Sequence, residues 1–200
     1  MIKNIIFDIG YVLMKFDYYP FIKELLKDDD VIEHVNNAMW YTGLWNEMDK
    51  GINSDIILQK MIEAEPDYED EIRLTFDNVG DCIKGCDYAV PWIKDLKKRG
   101  YRVLFLSNYA EHTMLANTKA LDFLPYMDGG VFSCNEGIVK PDHGIYRILL
   151  QRFSLDPEEC VFLDDSKNNV IAARTLGMYA IHFEDYPKAR EELENLLNIA

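Results

Sequence analysis

The sequence contains no long apolar run, no internal repeat and no excess of basic residues. Its longest apolar stretches are shorter than a membrane span, and no charged leader with an apolar segment precedes Asp8, so we expect neither a membrane protein nor a secretory leader. The formal net charge is -14, from 35 acidic and 21 basic residues. Such a balance disfavours nucleic acid and anionic lipid surfaces as partners.

Cysteine and histidine are also scarce, and neither shows the spacing of a zinc site. The four cysteines occur in unlike contexts, which favours free thiols in a reducing compartment and predicts a cytoplasmic protein. What the chain does have is apolar content: 48% of its 200 residues are hydrophobic. A chain of this length buries roughly 70% of its unfolded surface, enough for a sizeable core.

Three apolar runs end abruptly in polar side chains. The first run ends at Asp8, the second at Ser107 and Asn108, and the third at Asp164 and Asp165. Each run has the length and composition of a buried strand. Because ligands bind outside the carboxyl ends of strands in open parallel sheets, these residues predict a single polar site.

Helix and strand patterns alternate from Asp87 onward, which predicts a doubly wound, Rossmann-like parallel sheet in an α/β fold. Between residues 17 and 85 the pattern changes to four amphipathic helices without a convincing strand. We therefore predict an α/β core from residues 1–16 and 86–200, with residues 17–85 inserted as a helical cap. A cap beside the strand ends would exclude water and select substrates.

Four short stretches resemble, in order and spacing, the motifs of the haloacid dehalogenase superfamily. They are residues 7–10 (Phe-Asp-Ile-Gly), 106–108 (Leu-Ser-Asn), 139–142 (Val-Lys-Pro-Asp) and 163–166 (Leu-Asp-Asp-Ser). Residues 136–146 resemble the small-cap phosphatases of subfamily I, which include glucose-1-phosphatases. The resemblance implies hydrolysis of a small phosphorylated metabolite through an aspartyl-phosphate, by a monomer or a homodimer.

The resemblance also implies a role for each motif residue. Asp8 would be the nucleophile, with Lys140 and Ser107 as its catalytic partners. Lys140 offers a point charge to the phosphate and Ser107 a hydroxyl donor. The resemblance and the sequence around these positions add three candidate substrate contacts: Asn108, Gly10 and Tyr11.

Attack of a carboxylate on a phosphate dianion needs compensating charge, and an oxygen-rich site suits Mg²⁺. By resemblance the ligands would be the carboxylates of Asp8 and Asp165 and the backbone carbonyl of Gly10. Asp164 would bind the ion directly or through water, and Asn169 would steady this loop.

Each of these residues also has a purely structural interpretation. Asp164 and Asp165 can cap the helix that begins near Asn168, and Ser107 can cap the helix after its strand. Lys140 can be an ordinary solvated lysine. In the cap, residues 45–51 have the polar, glycine-ended pattern of a loop, and the residues there that we consider as contacts for the substrate are Trp45, Glu47 and Lys50.

One position departs from the family pattern. Most phosphatases of the superfamily carry a second aspartate two residues after the nucleophile, as general acid and base, and here that residue is Gly10. Either another donor replaces it, from Tyr11, the cap or a water molecule, or the leaving group is acidic. The second answer predicts a preference for a sugar 1-phosphate, because an anomeric hydroxyl is more acidic than an ordinary alcohol.

The missing aspartate keeps two alternatives open. The dehalogenases of the superfamily also lack it, and they attack carbon without a metal, although they would not need Asp164 and Asp165 as a pair. A weakly catalytic protein that binds a phosphorylated ligand is the other alternative.

Overall fold

A computed structural model describes residues 1–199 of the chain and contains seven strands. They are β1 (Asn4–Phe7), β2 (Met14–Phe16), β3 (Ile83–Gly85), β4 (Arg102–Ser107), β5 (Gly130–Phe132), β6 (Cys160–Asp164) and β7 (Tyr179–His182). Five of them form a parallel sheet in the order β5-β4-β1-β6-β7. All residues of β1 and β6 are buried, as expected for apolar runs inside a sheet covered on both faces.

The register of the sheet brings three strand ends together. Asn4 at the start of β1 lies opposite Arg102 of β4 and Cys160 of β6. β1 therefore lies between β4 and β6, with all three strands running in the same direction. Their carboxyl ends, which carry the polar residues named above, lie at one edge of the sheet.

Ten α-helices accompany the strands within residues 1–199. They are α1 (Tyr18–Leu26), α2 (Asp29–Asn36), α3 (Leu44–Asp49), α4 (Ser54–Ala64), α5 (Glu69–Asp77), α6 (Ala89–Lys98), α7 (Glu111–Ala116), α8 (His143–Arg152), α9 (Lys167–Thr175) and α10 (Tyr186–Ile199). None of these described helices is both long enough and apolar enough to cross a bilayer.

Two apolar clusters lie on opposite faces of the sheet. On one face Phe7 packs with Trp92 of α6 and Leu193 of α10, and on the other Ile6 packs with Tyr146 of α8 and Ala173 of α9. Helices thus cover both faces of the parallel sheet, which confirms the predicted α/β fold with a Rossmann-like core.

Helices α1 to α5 share a third apolar cluster, built around Met39, Met61 and Phe76. Two features of this segment differ from the sequence prediction. The strand β3, absent from the prediction, pairs antiparallel with β2, and residues 44–49 form the helix α3 where the sequence suggested a loop. Elements of three and six residues are too short to show a period of two or of 3.6 residues, which is why the pattern missed them.

Candidate active site

Three carboxylates meet at the carboxyl ends of β1 and β6. Asp8 follows β1 directly, and its N–H donates to the carbonyl of Leu163 at 2.8 Å. This bond continues the hydrogen bonding between β1 and β6. Asp164 is the last residue of β6, and Asp165 follows it. One carboxylate oxygen from each aspartate lies within 4.8 Å of the others. Oxygen donors at such separations match the ligand preference of a hard divalent cation.

Lys140 provides the positive charge of the cluster. Its ammonium group lies 2.9 Å from Oδ1 of Asp8 and 2.7 Å from Oδ2 of Asp164. The side chain is only 1% exposed, so this lysine is not a solvated surface residue. Because a buried charge requires a partner, the two carboxylates and the ammonium group hold one another in place.

The backbone of Lys140 is fixed by the strand end on the other side of β1. Asn108 accepts the Lys140 N–H with Oδ1 at 2.7 Å and donates from Nδ2 to the Lys140 carbonyl at 3.0 Å. The predicted substrate contact Asn108 therefore uses both polar atoms of its amide on this backbone. Its direct effect is to position Lys140.

Asp164 has little capacity left for further contacts. Its oxygens accept hydrogen bonds from Lys140, from the Ser166 N–H at 2.8 Å and from Nδ2 of Asn169 at 2.9 and 3.1 Å. The side chain is fully buried, whereas Asp165 is partly exposed to the cavity described below. Asp8 and Asp165 are thus the accessible carboxylates of the three.

Burial and charge shift the pKa values of this cluster. Burial raises the pKa of Asp8 above its usual range; Lys140 opposes the shift and Asp164 adds to it. Burial and then Asp164 likewise raise the pKa of Asp165. For Lys140, burial lowers the pKa, but Asp8 and Asp164 outweigh it and leave the pKa above its ordinary value. A divalent cation would oppose the upward shifts of the carboxyl groups.

A cavity of about 500 Å³ opens above the carboxylates. Eight of its lining residues are aromatic: Tyr11, Phe16, Tyr18, Tyr19, Trp40, Tyr41, Trp45 and Tyr109. Asp8, Gly10 and Asp165 lie at its polar end. Among the described residues that line it there is no lysine, arginine or histidine. The size is typical of a small-molecule site, and the walls suit an uncharged organic group.

The predicted residues do not all reach this cavity. Gly10, Tyr11, Asn108 and Trp45 line it, whereas Ser107 is buried at the end of β4. The candidate cap contacts Glu47 and Lys50 instead pair with each other at 2.7 Å, partly exposed. Tyr11 adopts a left-handed backbone with φ of 55°, an uncommon conformation for a non-glycine residue beside a site.

Asp49 is a cavity residue that the sequence interpretation missed. It is the last residue of α3 and lines the cavity together with Trp45, one helical turn earlier. Residues at positions i and i+4 share a helix face, so a helical assignment of residues 44–49 would have placed Asp49 beside Trp45. The assignment of this segment as a loop removed that signal.

Comparisons with known proteins assign the chain to one family. Residues 2–177 match the family model of the haloacid dehalogenase-like hydrolases. Over 105 residues the chain is 37% identical to Acyl-CoA dehydrogenase family member 10 of Mus musculus, a match that covers 52% of this chain but only 10% of that protein. It is 28% identical to D-ribitol-5-phosphate phosphatase of Bacteroides thetaiotaomicron, over 99% of this chain and 100% of that one.

A solved structure shows the same fold. A HAD family enzyme of Bacteroides thetaiotaomicron, in complex with magnesium and inorganic phosphate, superposes with a TM-score of 0.74 at 22% identity, over 93% of this chain and 98% of that chain. The family match spans most of the chain and includes all four motifs. The protein belongs to the haloacid dehalogenase-like hydrolases.

Proposed function

We propose that the protein is a Mg²⁺-dependent phosphatase that hydrolyses small phosphomonoesters through a phosphorylated Asp8. The observation that carries this proposal is the cluster of Asp8, Asp164 and Asp165 around Lys140, at the polar end of a cavity of substrate size. The full-length similarity to a D-ribitol-5-phosphate phosphatase supports it.

The donor set fits a divalent cation. Three carboxylates and one ammonium group leave an excess of two negative charges when all are ionised. We assign Asp8, Asp165 and the carbonyl of Gly10 as direct ligands, and Asp164, whose oxygens are already hydrogen-bonded, as a contact through water. A bound Mg²⁺ ion would neutralise charge between the phosphate and the carboxylates.

In the proposed reaction a carboxylate oxygen of Asp8 attacks phosphorus, and the bond between phosphorus and the ester oxygen breaks. Water then attacks the phosphorus of the aspartyl-phosphate, which releases inorganic phosphate and restores Asp8. Lys140 holds Asp8 through its contact at 2.9 Å and adds positive charge near the phosphate. Ser107 and the backbone N–H groups that follow β4 would supply further donors.

The helical segment from residue 17 to residue 85 supplies most of the aromatic wall, and we propose that it acts as the cap that selects substrates. Without a cationic side chain on the described wall, a substrate with a second anionic group would be disfavoured. An uncharged organic group such as a sugar satisfies this requirement, and a sugar 1-phosphate stays our proposed substrate.

Removal of divalent metal should lower phosphatase activity by at least about a hundredfold, because the carboxylate pair would then repel the phosphate. The measurement is hydrolysis of p-nitrophenyl phosphate after treatment with a chelator, followed by titration with Mg²⁺. Recovery on titration supports the assignment. Chloride release from a 2-haloacid in the chelated protein, with no phosphatase activity under either condition, would indicate the dehalogenase alternative instead.

Glucose 1-phosphate should be hydrolysed at least about tenfold faster than glucose 6-phosphate at equal concentration, because its leaving oxygen needs less protonation. Phosphate release measured for both sugars, with wild-type protein and Mg²⁺, gives the ratio. Faster turnover of the 6-phosphate would overturn the preference for an anomeric phosphate without affecting the assignment of Asp8.

A further inference from the structure

Because residue 10 is a glycine, the alcohol that leaves the phosphate ester has no obvious proton donor. Gly10 occupies the position two residues after Asp8, and a glycine has no side chain to donate. The backbone does not forbid a larger residue there, because an added Cβ would meet only Cε2 of Phe16 at 3.5 Å, an ordinary contact. The space beside the nucleophile is therefore open to a donor from elsewhere in the fold.

Asp49 lines the same cavity as Asp8, Gly10 and Asp165, but it belongs to α3 of the helical segment and not to a strand end of the sheet. Among the described residues of the helical segment that line the cavity, Asp49 is the one with an acidic side chain. Among the described contacts its carboxylate has no ion pair and no hydrogen bond, unlike those of Asp8 and Asp164. A partly buried carboxyl group without a structural partner is available to a ligand.

The position of Asp49 is fixed to the core. Its carbonyl accepts a hydrogen bond from Oγ of Ser133 at 2.5 Å, and the same Oγ accepts the N–H of Tyr109 at 3.0 Å. Gly51, with φ of 84°, lies so close to the carbonyl of Cys134 that an added Cβ would approach its oxygen to 2.3 Å. Asp49 is thus held by the loop after β5 and by the end of β4, the strand next to β1.

The surroundings suit a group that exchanges a proton near neutral pH. The ionisable groups that face Asp49 are Lys140, Tyr109 and Cys134, with Asp8 and Asp165 along the cavity. Burial raises the pKa of Asp49 to about 7, and Lys140 opposes the shift. A general acid and base works best when its pKa is near the operating pH, because both of its forms are then populated.

We propose that Asp49 performs the proton transfers for which Gly10 has no side chain. This inference rests on the proposed phosphatase function, and it is compatible with a sugar 1-phosphate, because an anomeric leaving group needs less protonation but still gains from it. As Asp8 attacks phosphorus, the protonated carboxyl of Asp49 gives its proton to the ester oxygen, the bond from that oxygen to phosphorus breaks, and the alcohol leaves. Asp49, now a carboxylate, accepts a proton from the water that attacks the aspartyl-phosphate, which returns both aspartates to their starting states.

The test compares two esters of similar size on Asp49→Asn: phenyl phosphate, whose leaving group needs a proton, and p-nitrophenyl phosphate, whose leaving group is far more acidic. The quantity is kcat/KM, which reports the step that expels the alcohol. We expect kcat/KM to fall about a hundredfold or more for phenyl phosphate and less than about tenfold for p-nitrophenyl phosphate. Asp55→Asn, an exposed aspartate on α4 outside the cavity, should change neither value.

Two further measurements separate proton transfer from a packing role. Wild-type kcat/KM for phenyl phosphate should fall as pH rises above about 7, where Asp49 loses its proton, and Asp49→Asn should lack this limb. Adding Gly10→Asp to Asp49→Asn should restore hydrolysis of phenyl phosphate by at least about tenfold. If Asp49→Asn does not fold, as judged by its melting curve, the same two esters are compared on Asp49→Ser.

Equal losses for the two esters in the folded variant would overturn the role of Asp49, since a packing or binding defect does not depend on the acidity of the leaving group. That result would leave the phosphatase proposal intact. Failure of the phosphatase proposal has a different signature: wild-type protein with Mg²⁺ would hydrolyse neither ester, or Asp8→Asn would hydrolyse both.

Discussion

Asp8→Asn should abolish phosphatase turnover, with a loss of at least about ten-thousandfold in kcat, the scale seen when a covalent nucleophile is removed. The amide cannot attack phosphorus, so no aspartyl-phosphate forms. The remaining residues keep their places, because the Asp8 N–H still donates to the Leu163 carbonyl and an amide oxygen can still accept from Lys140.

The same substitution should not destabilise the fold. Burial raises the pKa of Asp8, so its ionised form costs folding free energy as pH rises above the value of the unfolded chain. Asparagine carries no such cost, and its side chain has nearly the same shape. Melting temperatures at pH 5 and pH 8 without divalent metal should therefore be equal to wild type or higher, with the larger difference at pH 8.

Turnover within tenfold of wild type in a protein shown by mass spectrometry to carry the amide would contradict the assignment of Asp8.

The parallel sheet and much of its polar edge could be predicted from the sequence because both follow from local patterns. An apolar run that ends in Asp8, and another that ends in Asp164 and Asp165, define buried strands and their polar carboxyl ends. Parallel pairing then brings such ends to one edge whatever the loops do. The structure places these three aspartates within reach of one cation, on the two strands that the motifs mark.

The contacts of the loops could not be read in this way. The placement of Lys140 depends on Asn108, 32 residues away, and on the ring of Phe162 in β6, and neither contact has a local signature. The position of Asp49 depends on Ser133, 84 residues away in sequence. Periodicity reports which face of an element is buried, but it does not report which side chain a loop brings to a site.

Lys140→Met should have two large effects, the first on catalysis. Methionine retains the length and apolar stem of the side chain but removes the ammonium group that contacts Asp8 and Asp164. Loss of a preorganised charge at a phosphoryl site costs about a hundredfold to a thousandfold in kcat, and we expect the upper end because Lys140 contacts the nucleophile. Lys167→Met, an exposed lysine at the start of α9, is the matched control and should keep wild-type kinetics.

The second effect of Lys140→Met is on stability. Removing one partner from a buried ion pair typically costs about 3–5 kcal/mol, because the remaining charges lose their compensation. Lys140 holds the pKa of Asp8 down, so in its absence that pKa rises further and ionisation of Asp8 opposes folding more strongly. The deficit in the free energy of unfolding should therefore be largest at neutral pH and should shrink as pH falls through the raised pKa of Asp8.

Urea titrations at pH 5 and pH 8, with and without Mg²⁺, measure this deficit in the free energy of unfolding. Partial recovery on adding the ion is expected if Mg²⁺ compensates the same carboxylates, and a deficit independent of both pH and Mg²⁺ would mean that Lys140 stabilises the fold by packing alone.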